Sequence, residues 1–161
     1  MNKTFKVGIG YDVHRLAEKE SFILGGINIP FNKGLVGHSD GDVLLHSIID
    51  AILGAINKGN IGDYFPSSDQ KNKNLDSQIM LKYVNKILKR ENYSIVNIDS
   101  TIILEEPRLS PHVNKIQSNI SKILEINFNQ VSIKPKTNDK LGFLGQSLGV
   151  CAQTIVLINK C

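Results

Sequence analysis

Two apolar periods take turns along this chain, and that alternation limits the folds open to it. Lys6 to His14 (KVGIGYDVH) reads as a strand, and Val96, Ile98, Ile102 and Leu104 alternate as strand residues do. Val43 to Asn57 is apolar with a helical pattern and stops near Gly59. Asp76 is placed to cap a second helix that carries Ile79, Met80, Tyr83, Val84, Ile87 and Leu88 on one face. Ser110 and Pro111 offer a cap and a first-turn proline for a third, with Val113, Ile116, Ile120, Ile123 and Leu124 turned inward. Phe22 to Phe31 reads as a short hairpin turning at Gly25-Gly26. Val131 to Lys134 reads as a short strand, and Gly149 to Ile158 as a long, well-buried one. The pattern predicts an α/β fold, one sheet with helices packed against it.

At 161 residues the chain is expected to form a single domain, 1–161, with a sizeable core. No repeat or linker interrupts it, and Phe65 to Asn74 is a polar loop expected to be mobile. A hydrophobic content of 41% with 21% charged residues is that of a soluble globular chain, and no apolar run reaches bilayer length. The N-terminal Met1-Asn2-Lys3-Thr4-Phe5 has no signal core, so the expected location is the cytoplasm; a plastid would require a leader already removed. The net charge is +4, but the lysines are scattered, and those from Lys82 to Arg90 fall at the spacing of a solvated helix face. Without a basic stripe or interleaved aromatics, no nucleic acid is expected, whereas a small anionic substrate suits the charge. Neither Cys151 nor Cys161 has a neighbour at metal-ligand spacing; they read as a small core residue and a loose end.

Asp12-Val13-His14 carries the first chemical signal. Side chains two apart on a strand share a face, so Asp12 and His14 stand together and Val13 turns away. In His38-Ser39-Asp40-Gly41-Asp42 and the helix that follows, Asp42, His46 and Asp50 fall on one face, so an adjacent carboxylate can orient the His46 ring. Two imidazoles and one carboxylate make an open zinc site with one tetrahedral position free. Spacing leaves an alternative: Asp-x-His also occurs at polar strand ends, and a histidine within an apolar helix is commonly a satisfied core residue. Lys134 to Phe143 combines cationic, hydroxyl, amide and carboxylate groups. It suits a diphosphate with a divalent cation, and equally an ordinary polar turn.

Taken together, separate blocks resemble one family. They are Gly10-Tyr11-Asp12-Val13-His14, Ile23 to Pro30 (ILGGINIP), His38 to His46 (HSDGDVLLH), Asn60 to Pro66 (NIGDYFP), Glu105 to His112 (EEPRLSPH) and Lys134 to Phe143 (KPKTNDKLGF). In order and spacing the chain is similar to the 2-C-methyl-D-erythritol 2,4-cyclodiphosphate synthases of the methylerythritol phosphate route to isoprenoids. The resemblance implies a single mixed sheet with helices on one face (α+β), in a homotrimer around a central cavity with active sites between subunits. The implied reaction converts 4-diphosphocytidyl-2-C-methyl-D-erythritol 2-phosphate to the 2,4-cyclodiphosphate plus CMP. A zinc phosphoesterase and a catalytically silent cytidine-nucleotide-binding module are the other readings.

Residue by residue, Asp12, His14 and His46 match the ligands of one Zn²⁺ per subunit, and Asp139 the carboxylate for Mg²⁺ or Mn²⁺ on the diphosphate. His38 and Ser39 match phosphate contacts, and Thr137 a group that stabilises the transition state. Asn60, Ile61 and Gly62 match the ribose segment. Phe65, Pro66, Ser67, Ser68 and Asp69 match a flexible loop over the methylerythritol end. Leu104, Glu105, Glu106, Pro107, Arg108, Leu109 and Ser110 match the segment around the cytosine. Val13, Lys136, Asn138 and Phe143 complete the implied substrate contacts. Departures are Asn60 for a usual Asp, Asp139 for a commoner Glu, and Lys136 for a usual Thr. Gln146-Ser147-Leu148 stands where Arg-Gly-Glu is usual, and losing that Arg is expected to weaken isoprenoid diphosphate binding in the central cavity.

Overall fold

The structure, a computed structural model, describes residues 4–161; Met1, Asn2 and Lys3, read above for a leader, lie outside them. The long strand β1 (Phe5–Glu18) is followed by a small hairpin, β2 (Ile23–Leu24) and β3 (Ile27–Asn28), and by β4 (Lys33–Val36). Next come α1 (Val43–Ala55), α2 (Ile61–Tyr64), α3 (Ser77–Arg90) and β5 (Tyr93–Ile103). The chain ends with α4 (Val113–Leu124), β6 (Val131–Lys136), α5 (Gly142–Gly145) and β7 (Gly149–Lys160). Five strands form one sheet in the order β4-β1-β7-β5-β6. The β5–β6 pair is parallel and its other pairs are antiparallel, so the sheet is mixed.

What fixes the geometry is the seating of α1 on β1. A Cβ at Gly8 would strike the Ala51 carbonyl oxygen, and one at Gly10 the Ser47 carbonyl oxygen. Only glycine at these two positions lets the helix backbone lie directly on the strand. α1 is buried along nearly its whole length; Leu44, Leu45, Ile48, Ile49, Ile52 and Leu53 are fully enclosed. Each contributes ~1.5–3 kcal/mol through lost water contact. A buried hydroxyl chain ties the layers together. Ser47 Oγ donates to the Leu44 carbonyl and meets Thr154 Oγ1 at 2.7 Å, which in turn meets Ser100 Oγ at 2.7 Å.

α3 and α4 share the α1 side of the sheet, packing beside α1, β5 and β6. The other sheet face is open. Phe5, Val7, Ile9, Tyr11 and Val13 of β1 and Ile155 of β7 are exposed on it. No helix among the described residues is long and apolar enough to cross a membrane.

Two local expectations change. β1 runs past His14 to Glu18 because Arg15–Glu18 pairs with β4, a strand too short to carry a period of its own. α4 begins at Val113 and has no side-chain cap; Ser110 and Pro111 instead lie in a turn closed by the His112 N–H on the Leu109 carbonyl. The 65–74 loop is folded by local hydrogen bonds. Asp69 caps a 3-10 turn over Gln70–Asn72, Asn72 donates to the Pro66 carbonyl, and the Asn74 N–H donates to His38 O. The hairpin does turn at Gly25 and Gly26, whose φ values of +61° and +72° require glycine.

Candidate active site

Asp12 and His14 leave β1 on the α1 side, and His46 descends from the first turn of α1 to meet them. His46 Nδ1 and His14 Nδ1 each lie 3.0 Å from Asp12 Oδ2. One ligand atom from each residue falls within 4.8 Å of the others. Donors ~2.0–2.2 Å from a shared tetrahedral ion sit ~3.4 Å apart, so the trio needs only small shifts to hold one. His14 Nδ1 is buried without a hydrogen-bond partner, because its approach to Asp12 is off the line of a bond. A buried imidazole nitrogen without a hydrogen-bond partner suits a metal ligand. The residues therefore fit a divalent ion.

The electrostatics agree. Burial pushes the Asp12 carboxyl up, but the adjacent His14 and His46 rings outweigh it and hold the group at about 2. Burial likewise pulls His46 down, and the Asp12 carboxylate more than reverses this, raising the ring above its ordinary 6.5. Both shifts favour a proton on His46 beside the Asp12 carboxylate, in the position a metal ion would take instead.

The carboxylates that orient His46 are not those its helical spacing suggested. Asp42 is the N-cap of α1 and accepts the N–H groups of Leu45, Gly25 and Gly26, clamping the β2–β3 hairpin to the helix. Asp50 accepts the Ile61 N–H and anchors α2. The ring's Nε2 instead lies 2.9 Å from Ser77 Oγ and 3.1 Å from Ser39 Oγ, and Ser77 is held by Asp40. Sequence gave no reason to single out Ser77; Asp40 lay within a quoted block but without a role.

A cleft of about 250 Å³ opens over the trio, lined also by His38, Ser39, Ile61, Gly62, Phe65 and Ser67. Asn72 and Met80 line it too, and the sequence reading missed both. Asn60 lies beside it, with its side-chain oxygen turned back onto the Gly62 N–H at 2.8 Å in a capping box with Asp63.

The remaining site candidates lie elsewhere on the chain. Leu104, Glu105, Pro107, Arg108, Leu109 and Ser110 line a second cleft of about 460 Å³ together with Lys136 and Thr137. Glu105 builds its floor rather than facing out. Its side chain is 3% exposed, and its carboxylate accepts the Asn138 and Lys140 N–H groups and pairs with Lys140 Nζ at 3.0 Å. This clamp holds Asp139 and Lys140 in the left-handed conformation, φ +50° and +63°, with Thr137 Oγ1 3.4 Å from Asp139 Oδ1. Val13 and Phe143 face a third, apolar groove with Leu148.

The chain is similar to known proteins over nearly its whole length. The YgbB family model matches residues 5–159. A Clostridium kluyveri protein named 2-C-methyl-D-erythritol 2,4-cyclodiphosphate synthase is 54% identical over 153 residues, 95% of this chain and 93% of its own. The bifunctional IspDF of Campylobacter jejuni superposes with a TM-score of 0.96 at 35% identity; 99% of this chain is covered but only 43% of that one. The CDP complex of IspF from Plasmodium falciparum superposes with a TM-score of 0.86 at 34% identity, covering 99% of both chains.

Proposed function

This chain belongs to the YgbB family of 2-C-methyl-D-erythritol 2,4-cyclodiphosphate synthases, and on that footing we propose how its residues divide the work of cyclisation. The reaction is a phosphorus–oxygen lyase step of the methylerythritol phosphate route. An oxygen of the substrate's 2-phosphate attacks the β-phosphorus of the cytidine diphosphate bridge. The bond from that phosphorus to the bridging oxygen breaks, and CMP leaves with the electron pair. No protein nucleophile takes part. The barrier is electrostatic, since two anions must meet, so positioning and charge neutralisation carry the catalysis.

Asp12, His14 and His46 are the ligands of a zinc ion that, when bound, orients and polarises the phosphates beside the attack. The observation that carries this is the convergence of these side chains on one point, with His14 Nδ1 lacking a hydrogen-bond partner, under the cleft lined by His38 and Ser39. His38 and Ser39 donate to phosphate oxygens, Ile61 and Gly62 with Asn60 hold the ribose, and Phe65 to Asp69 close over the methylerythritol end. Leu104 to Ser110 hold the cytosine. Thr137 donates to the charge developing at the attacked phosphate. Asp139 is the ligand for Mg²⁺ or Mn²⁺ at the diphosphate, and Lys136 adds positive charge beside it.

The working form is a homotrimer, in which the metal trio of one subunit meets the cytidine cleft of the next. Two features support it: the trio and Thr137 line separate clefts of one chain, and an apolar sheet face lies open. The chain acts as one domain, and its bacterial relative favours the cytoplasm. With Gln146 and Leu148 at the end of the central cavity, isoprenoid diphosphate binds weakly there; tight binding by calorimetry would contradict this. The main test is incubation with the cytidyl substrate with and without chelator. CMP and the cyclic product should form only without chelator, and release of inorganic phosphate instead would refute the reading.

A further inference from the structure

His46 can serve the metal only if the correct ring nitrogen is bare. The ring places Nδ1 3.0 Å from Asp12 Oδ2, towards the metal trio, and Nε2 2.9 Å from Ser77 Oγ, in the interior. A neutral imidazole carries one proton, and its environment decides where. Ser77 is the first residue of α3, just after the Asp76 cap, so its hydroxyl is fixed by the helix start. Asp40 faces it from the loop before α1. One Asp40 oxygen accepts the Ser77 N–H at 2.9 Å; the other accepts the Asp42 N–H at 3.2 Å and makes a short contact with Ser77 Oγ. A carboxylate that already takes two backbone N–H groups is an acceptor throughout. The Ser77 proton therefore goes to Asp40, and Ser77 Oγ offers His46 only a lone pair. The ring must supply the proton on that side, from Nε2. Nδ1 faces the Asp12 oxygen, also an acceptor, so a proton or a metal ion must lie between them, while Nε2 keeps its own proton in either case.

We infer that Ser77 and Asp40 form a positioning relay that fixes the proton of His46 on Nε2 and so presents Nδ1 to the metal. Ser39 Oγ, 3.1 Å from the same Nε2, shares that N–H as a second acceptor and accepts the Gly41 N–H only at 3.5 Å. Its own proton is free to turn towards a phosphate. The relay makes α3 part of the site although it contributes no ligand. This rests on the reading of Asp12, His14 and His46 as the metal site.

The test uses the zinc-loaded full chain and three proteins: wild type, Ser77→Ala and Ser77→Thr. Zinc affinity is measured by competition with a chromophoric chelator, and the protonated nitrogen of His46 by nitrogen-15 spectra. Loss of the Ser77 acceptor should weaken zinc binding ~10–100-fold, the usual effect of removing a group that orients a ligand. Ser77→Thr should restore it, and wild-type His46 should carry its proton on Nε2. The metal-free Ser77→Ala protein should keep a cooperative thermal transition, so that lost zinc affinity is not lost fold. Equal zinc affinity in wild type and Ser77→Ala, or zinc bound through Nε2, overturns the relay while leaving the metal site standing. A wild type that binds no zinc overturns both.

Discussion

At Asp12 and His46 one short contact can hold either a proton or a metal ion, and the two states respond oppositely to pH. In the metal-free protein the His46 imidazolium pairs with Asp12, which raises the ring above 6.5 and holds the carboxyl at about 2. A raised imidazole stabilises the fold below its unfolded value and loses that contribution as pH rises through its folded value. A depressed carboxylate stabilises above its unfolded value of 3.8 and loses its contribution as pH falls towards 2. This pair therefore favours the metal-free fold most between about pH 4 and pH 6.5. Metal must displace the His46 proton, so zinc stabilises more as pH rises through the same range. Thermal melts from about pH 5 to about pH 8 should show the metal-free protein weakening and the zinc increment growing. Parallel curves with and without zinc would mean that His46 is not a ligand.

Elements set the tolerances at which those side chains meet. α1 comes closest to β1 at Gly8 and Gly10, and the atoms a Cβ would strike belong to helix backbone, which has no rotamer with which to yield. Gly10→Ala is expected to cost ~3 kcal/mol or more in denaturant unfolding, at or above the upper end of ordinary overpacking. It should also lift His46 from Asp12 and weaken metal binding. On the other side of the molecule, Glu105 is the clamp for residues 137–140. Glu105→Ala should lower kcat ~10²-fold by misplacing Thr137 and Asp139, with zinc affinity at the distant trio unchanged. The longer elements were legible because burial on one side imposes a period: β1, α1, α3, β5, α4 and β7 all declare it. β4, α2 and α5 are four residues each and too short to show one. The start of α4 was misread because the local Ser110-Pro111 signal lost to the turn at Leu109. Asp12 with His14 was legible because a strand places alternate residues together. Ser77 and Asp40 were not, because their meeting depends on the packing of α3 against the loop before α1.

Across the whole molecule, the residues proposed for the chemistry are divided between two clefts. One holds Asp12, His14 and His46, and the other holds Thr137 with the 104–110 segment. On the side of the sheet away from the helices, Val7, Ile9 and Tyr11 are each more than half exposed. An apolar face of that kind marks a surface that associates. If association in a closed ring brings the trio of one subunit to the Thr137 cleft of the next, two damaged chains can repair each other. His46→Ala lacks the metal ligand but keeps Thr137. Thr137→Ala keeps the ligand but should lose ~10²-fold or more in rate with its directed donor. Each alone should be nearly inactive. Refolded together in equal amounts, a site is whole wherever a Thr137→Ala chain supplies His46 and its neighbour, a His46→Ala chain, supplies Thr137. Random assembly into closed rings makes ~one quarter of the sites whole, so the mixture should recover about that share of wild-type turnover. A site confined to one chain gains nothing from mixing, since every chain then carries its own lesion. Turnover that stays at the level of the separate variants, in a mixture shown by light scattering to have assembled, would refute the shared site.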